Sequence, residues 1–227
     1  MSRYKLRANY DIENIDSQKM DGTVIVDVPM LSNGELNYGL SHIKKKLYEE
    51  NVYPSEIGFD IMSLATMVYM ADTRIERVVH GQDSWTREIE LEIPVSNVEI
   101  WDSQIRTVER MLKFLTGDLW KITLSSRAWQ FNNLEEVREK SNKYDEVSLF
   151  SGGMDSLIST INLMENKKNT LLISHAGEGL TKNAQKNIVN KFDLLYPDVL
   201  HTWLDLWMVF PRDYIPAGGN DNNTRSR

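Results

Sequence analysis

The sequence predicts an α/β protein: an incomplete doubly wound parallel sheet preceded by a smaller α+β N-terminal domain. Three observations carry that expectation. In the second half, short apolar runs alternate with stretches whose apolar residues fall at helical spacing. One polar, glycine-rich loop, Ser151-Gly152-Gly153-Met154-Asp155-Ser156, stands between such a run and such a stretch. The 227 residues are 41% hydrophobic, which is enough for a real core. The domains are expected at residues 1–140 and 141–227.

Taken in order, Thr23 to Met30 is β-branched and reads as a strand, closed by the turn signal Asn33-Gly34. Ser41 to Glu50 reads as a short helix whose Lys44-Lys45-Lys46 face is solvated or, alternatively, a binding patch. From Pro54 a helix follows, apolar nearly all round and so expected to be buried, with Ile57, Ile61, Leu64, Ala65 and Val68 on one face. Its methionines fill core or form an adaptable surface. Arg87 to Val95 alternates, Ile89, Leu91, Ile93 and Val95 inward against Glu88, Glu90 and Glu92 outward, a strand with one wet face.

Asp102 to Thr116 carries Ile105, Val108, Leu112 and Leu115 at helical spacing, with Asp102 or Ser103 as the starting cap and Gly117 at the end. Leu119 to Ser125 alternates again. The domain boundary is expected in the charged stretch Asn132 to Lys143. Between the apolar helix and the acidic strand, Asp72, Arg74, Arg77, Asp83, Trp85 and Arg87 form either a polar cleft that holds phosphate and stacks a base, or an ion-pair network clamping the layer.

Composition narrows the function classes. The net charge of −7 argues against direct binding to nucleic acid. With no cysteine there is neither a disulfide framework nor a thiolate metal site, so a reducing cytoplasm is the simplest setting. Neither a targeting segment nor a membrane-spanning stretch is visible, the longest apolar run, Ile61 to Met70, being too short for a bilayer.

The loop is where chemistry is expected. Val147 to Phe150 reads as a buried strand, and Leu157, Ile158, Ile161 and Met164 continue as a helix. Strand, loop, helix aims backbone N–H groups and a positive helix end into the loop, which suits phosphate. Gly152 and Gly153 are expected where a Cβ would meet bound anion or strain the backbone. The hydroxyls of Ser151 and Ser156 can donate, and Asp155 can orient the loop or hold a phosphate-bound magnesium ion. An ordinary solvated turn is the competing reading. The patterns G-x-x-x-x-G-K-[ST] and G-x-G-x-x-G are absent, so the kinase, GTPase and Rossmann readings lose their main support.

After the loop, Thr170 to Ser174 reads as a second strand, then Thr181 caps a helix with inner face Ala184, Ile188, Val189, Phe192 and Leu195, and Val199 to Val209 is a third strand containing Trp203 and Trp207. Parallel strands joined by right-handed crossovers place a ligand outside their carboxyl ends, beside His175 to Gly177. His175 is a candidate ligand contact there, or is an ordinary surface residue.

Ser-Gly-Gly-Met-Asp-Ser resembles the PP-loop of the ATP pyrophosphatase family, HUP-like proteins that split ATP between the α and β phosphates to adenylate a carbonyl or carboxylate. Leu149-Phe150-Ser151-Gly152-Gly153-Met154-Asp155-Ser156 is most similar to the 7-cyano-7-deazaguanine synthase (QueC) group and to QueC-like proteins of anti-phage defence systems, the QatC type included. The segment 71–87 also resembles the N-terminal extension of those defence proteins.

The resemblance implies ATP and Mg2+ as cofactors, with Asp155 and Ser156 in catalysis. It places nucleotide against Phe150, Ser151, Gly152, Gly153, Met154, Asp155, Ser156, His175 and Gly177, and pyrophosphate near Arg225 and Arg227, where the competing reading is an ordinary polar terminus. The implied substrate is a 7-deazaguanine-like small molecule, or a protein to be modified, and the implied partners are other subunits of a defence complex. A non-catalytic nucleotide-binding scaffold in such a complex is the alternative. The family's C-terminal cysteine cluster for zinc has no counterpart here, and too few residues follow Asp145 for the usual five-stranded sheet, so the chain is expected to be incomplete.

Overall fold

Tyr4, Leu6 and Ala8 alternate with Arg3, Lys5 and Arg7, and this period of two makes β1 (Arg3–Asn9), a strand with one buried and one charged face. It is the middle strand of a five-stranded sheet. The computed structural model describes residues 3–128, 130–131, 143–175 and 179–211. Its described residues form two compact units that interleave in sequence: 3–41, 54–131 and 209–211 in the first, 42–53 and 143–208 in the second. The expected boundary stretch, Asn132 to Lys143, lies outside the described residues except for Lys143.

In the first unit, β2 (Asp16–Met20) and β3 (Thr23–Pro29) form a hairpin around Asp21 and Gly22, both at positive φ (47° and 78°), the backbone a two-residue turn demands. A smaller hairpin, β4 (Leu31–Ser32) with β5 (Glu35–Leu36), turns at Asn33-Gly34. The chain then passes through α1 (Leu40–Glu49), most of which belongs to the second unit, and returns to the first with α2 (Glu56–Arg74), α3 (Arg77–His80) and β6 (Glu88–Val95). The helix expected from Asp102 starts later, as α5 (Ile105–Thr116), with Gln104 and neither Asp102 nor Ser103 at its start and Gly117 closing it as expected; a separate short helix, α4 (Val98–Asp102), capped by the Asn97 side chain, precedes it, and β7 (Leu119–Ser126) follows.

The strand order is β2-β3-β1-β6-β7, antiparallel only between β2 and β3. The layer expected as α+β is therefore dominated by parallel pairing. One face of this sheet is core, from Tyr4, Leu6, Val26, Val28, Ile89, Leu91 and Ile93. The other carries cross-strand ion pairs, Lys5 with Glu90 and Glu92, and Arg7 with Asp27. At the β7 edge a Glu109 carboxylate oxygen on α5 accepts the Ile122 N–H at 2.8 Å, satisfying a donor that no neighbouring strand pairs.

Helix α2 is turned away from its expected face. Ile57 and Ile61 are 37% and 54% exposed, while Phe59, Asp60, Ser63, Thr66, Met67 and Met70 are buried. Polar residues go inside because each finds a partner there. Asp60 accepts from the Ser96 N–H and hydroxyl, the Trp101 indole and Arg127, and Ser63 is 2.8 Å from the Tyr10 hydroxyl.

The arginine-rich segment is the ion-pair network. Asp118, fully buried, accepts from both Arg77 terminal nitrogens at 2.7 and 2.8 Å, from the Arg87 N–H at 3.0 Å, and from the Arg87 guanidinium at 2.6 Å. Asp72 accepts from the same two arginines. Arg74 instead donates to the carbonyls of Phe210 and Pro211. Trp85 is exposed.

The second unit holds a three-stranded sheet, β10 (His201–Leu206), β9 (Thr170–His175) and β8 (Glu146–Leu149), in that order and all parallel. Crossovers α6 (Met154–Glu165) and α7 (Gly179–Leu195) connect them. Phe150, Leu172 and Phe192 are its core, packed with Leu157, Ile161, Ile188, Val189, Tyr196 and Trp203.

Strand β8 is not buried as expected. Val147 and Leu149 are 68% and 79% exposed, because β8 is an edge strand and the two side chains stand on the face opposite Leu172 and the helices. Among the described residues, no helix is long and apolar enough to cross a membrane.

Candidate functional site

The loop between β8 and α6 is held from below. The Phe150 N–H donates to the Ile173 carbonyl at 2.7 Å, its own carbonyl accepts from the Ser174 hydroxyl, and the Trp203 indole donates to Ser174 Oγ at 2.8 Å. Three parallel strands thus brace the residue that precedes Ser151. The Phe150 side chain lies in the core and both its backbone polar groups are used within the protein, so of the expected nucleotide contacts it is a support beneath the site.

Gly152 then takes a left-handed φ of +83°, which side chains avoid, and a Cβ there would stand 3.0 Å from Gln185 Cγ. Gly153 differs. Its φ of −82° is ordinary and its Cβ would meet only Ser151 Oγ, at 3.5 Å. Of the two glycines expected to be demanding, Gly152 alone requires glycine conformationally.

Gly153 caps α6 without a side-chain bond, so the helix opens with backbone donors that have no partner one turn earlier. The Ser151 hydroxyl is 3.1 Å from that of Ser156 and accepts the Gly153 N–H at 3.3 Å, and Ser156 donates to the Gly153 carbonyl at 2.9 Å. Ser151, Met154 and Asp155 are exposed, and the Asp155 carboxylate has no hydrogen bond or ion pair among the described residues. The structure thus brings Ser151, Gly152, Gly153, Met154, Asp155 and Ser156 together at one exposed helix start. His175 ends β9, the neighbouring strand, and is exposed. Gly177, Arg225 and Arg227 lie outside the described residues.

Helix α7 supplies what the sequence reading missed. Its inward stripe runs through Gln185, Ile188, Val189, Phe192 and Tyr196, while Ala184 and Leu195, expected inside, are exposed. Gln185 is 1% exposed and its Nε2 donates to the Ser151 carbonyl at 3.0 Å. A carbonyl only accepts, so this bond fixes which way the amide points. Its Oε1 is then buried without a donor among the described residues. The available signal was spacing: Gln185 stands three residues before Ile188 and seven before Phe192, a polar interruption on an apolar stripe.

The same carboxyl edge carries charge. On β10, Asp205 lies opposite Ser174 of β9 and pairs with Lys182 of α7 and Lys46 of α1. Burial raises the Asp205 carboxyl, but bonds to Lys182 and Lys46 outweigh it and leave the group below its ordinary value. Lys46 also donates to the Asp205 carbonyl at 3.0 Å and Lys44 lies over the Tyr48 ring, so the expected solvated lysine face is partly tied down.

A shallow cleft of about 400 Å³ in the first unit is less suited to an anion. Its Arg3 pairs with Glu88 at 2.7 Å and its Lys121 with Glu90 at 3.9 Å, leaving no surplus positive charge. No family model matches this chain, and no curated protein or solved structure matches it either.

Proposed function

We propose that the chain binds ATP by its phosphates at the Ser151–Ser156 loop and, as a QueC-type PP-loop protein, adenylates a carboxylate or amide. The acceptor is a 7-deazaguanine-like molecule or a protein to be modified, and the setting is a cytoplasmic anti-phage defence complex. The observation that carries this reading is the braced strand end leading into a left-handed Gly152 and the exposed start of α6, which has no side-chain cap.

For a carboxylate acceptor, an oxygen attacks the α phosphorus, the bond to the β-phosphate oxygen breaks, and pyrophosphate leaves with the electron pair. Donors held in place before the reaction favour that developing charge without reorganising. Ser151, Gly152, Gly153 and Ser156 supply those donors in this reading.

Among the described residues no cluster of three or more His, Cys, Asp or Glu forms a ready metal cage. Mg2+ commonly rests on one or two carboxylates, waters and substrate phosphates, and Asp155 fits that smaller demand. Such an ion would neutralise phosphate charge.

The test is the product formed from labelled ATP with candidate acceptors: AMP is expected, and it should disappear in Asp155→Ala. ADP as product, or full activity in that variant, would overturn the proposal. A scaffold reading has its own support, since neither serine hydroxyl in the loop is paired with a general base. It predicts ATP binding without turnover in every mixture of partners.

A further inference from the structure

Lys182 has an unusual position. It lies in the first turns of α7, where the helix dipole already concentrates positive charge, and no acidic residue occupies the first turn to offset it. It precedes Gln185 by three residues, so the two share a helix face. Gln185 touches the loop itself, through its bond to the Ser151 carbonyl and its packing against Gly152. Lys182 is therefore one helical turn from the loop, on the side facing the carboxyl ends of the strands.

Its only described partner is Asp205, which Lys46 also holds, so two ammonium groups share one carboxylate and leave a surplus positive charge. The two cations are not equivalent. The Lys46 side chain is 22% exposed and bonds both the carboxylate and the backbone carbonyl of Asp205, whereas that of Lys182 is 48% exposed and bonds the carboxylate alone. Lys182 can leave without stranding Asp205.

Resting on the nucleotide reading above, we propose that Lys182 is an anion ligand of the loop: when a polyphosphate binds, its ammonium moves from Asp205 to the phosphate oxygens, and Lys46 keeps Asp205 paired. Gln185 Oε1, buried and without a donor among the described residues, lies on the same helix face, on an amide whose Nε2 already holds the loop.

Calorimetric titration with ATP, inorganic pyrophosphate and adenosine tests this on the parent, Lys182→Gln, Lys182→Arg and a neighbouring-charge control, Lys186→Gln. Lys182→Gln is expected to weaken ATP and pyrophosphate about tenfold, with adenosine affinity and melting temperature unchanged. Lys182→Arg should recover most of the loss, and Lys186→Gln should behave as the parent. If Lys182→Gln binds ATP and pyrophosphate like the parent, the role of Lys182 is overturned while the loop reading stands. Equal losses in Lys182→Gln and Lys186→Gln would reduce it to general surface charge and also overturn it. If the parent binds neither ATP nor pyrophosphate, both readings fall.

Discussion

A Cβ at position 152 meets two obstacles at once, a φ of +83° and the Gln185 side chain 3.0 Å away. Gly152→Ala should therefore cost about 1–2 kcal/mol from the backbone alone, with ATP affinity falling because the loop and Gln185 shift together. Gly153→Ala should cost at most about 1 kcal/mol, the preference of a helix N-cap for glycine over alanine, since its backbone is ordinary and its nearest contact is the flexible Ser151 hydroxyl. Thermal melting with ATP titration of both variants checks this; a Gly153→Ala that unfolds as readily as Gly152→Ala would refute it. The sequence marks both glycines equally, because glycine identity does not reveal which of two neighbours takes the left-handed turn. That difference depends on a helix more than thirty residues away, through Gln185.

At the level of elements, strands with strict alternation were legible and helix faces were legible in part, Ile188, Val189 and Phe192 of α7 packing inward as expected. Glu88–Val95 turns its apolar residues inward as alternation requires, and Asn33-Gly34 closes a hairpin. On α2 hydrophobicity pointed to Ile57 and Ile61, yet Asp60 and Ser63 are inside because Arg127, Trp101, Ser96 and Tyr10 reach them from other elements, and such partners leave no periodic mark. Asp118 is the clearest case, a single residue after a helix-ending glycine that gathers two arginines.

Burial pushes its carboxyl up, but the hydrogen bonds and charge of Arg87, then Arg77, outweigh this and hold it below the ordinary carboxylate value. A lowered folded-state value means the network's stabilisation is present above the unfolded value near ~3.9 and is lost as pH falls through the folded one. Asp118→Asn should cost about 3–5 kcal/mol at neutral pH by leaving two buried cations underpaired, and the cost should shrink in acid. Denaturant midpoints across pH 2–7 measure it; a cost constant with pH would show that the charge is not what matters.

At the largest scale, the described residues form two cores, one around Leu6, Val26 and Leu91, the other around Phe150, Leu172 and Phe192. Phe150→Ala, which removes a fully buried ring, should cost about 3–5 kcal/mol, and Asp118→Asn should act on the other unit. Scanning calorimetry is expected to show Phe150→Ala lowering one transition and Asp118→Asn lowering a different one; both variants shifting a single transition together would mean the chain unfolds as one body. Glu109 has its own consequence at this scale. By occupying the Ile122 N–H it turns the β7 margin of the five-stranded sheet into a blocked template, so a fibril or a strand-swapped dimer growing from that margin must first evict a carboxylate from its hydrogen bond.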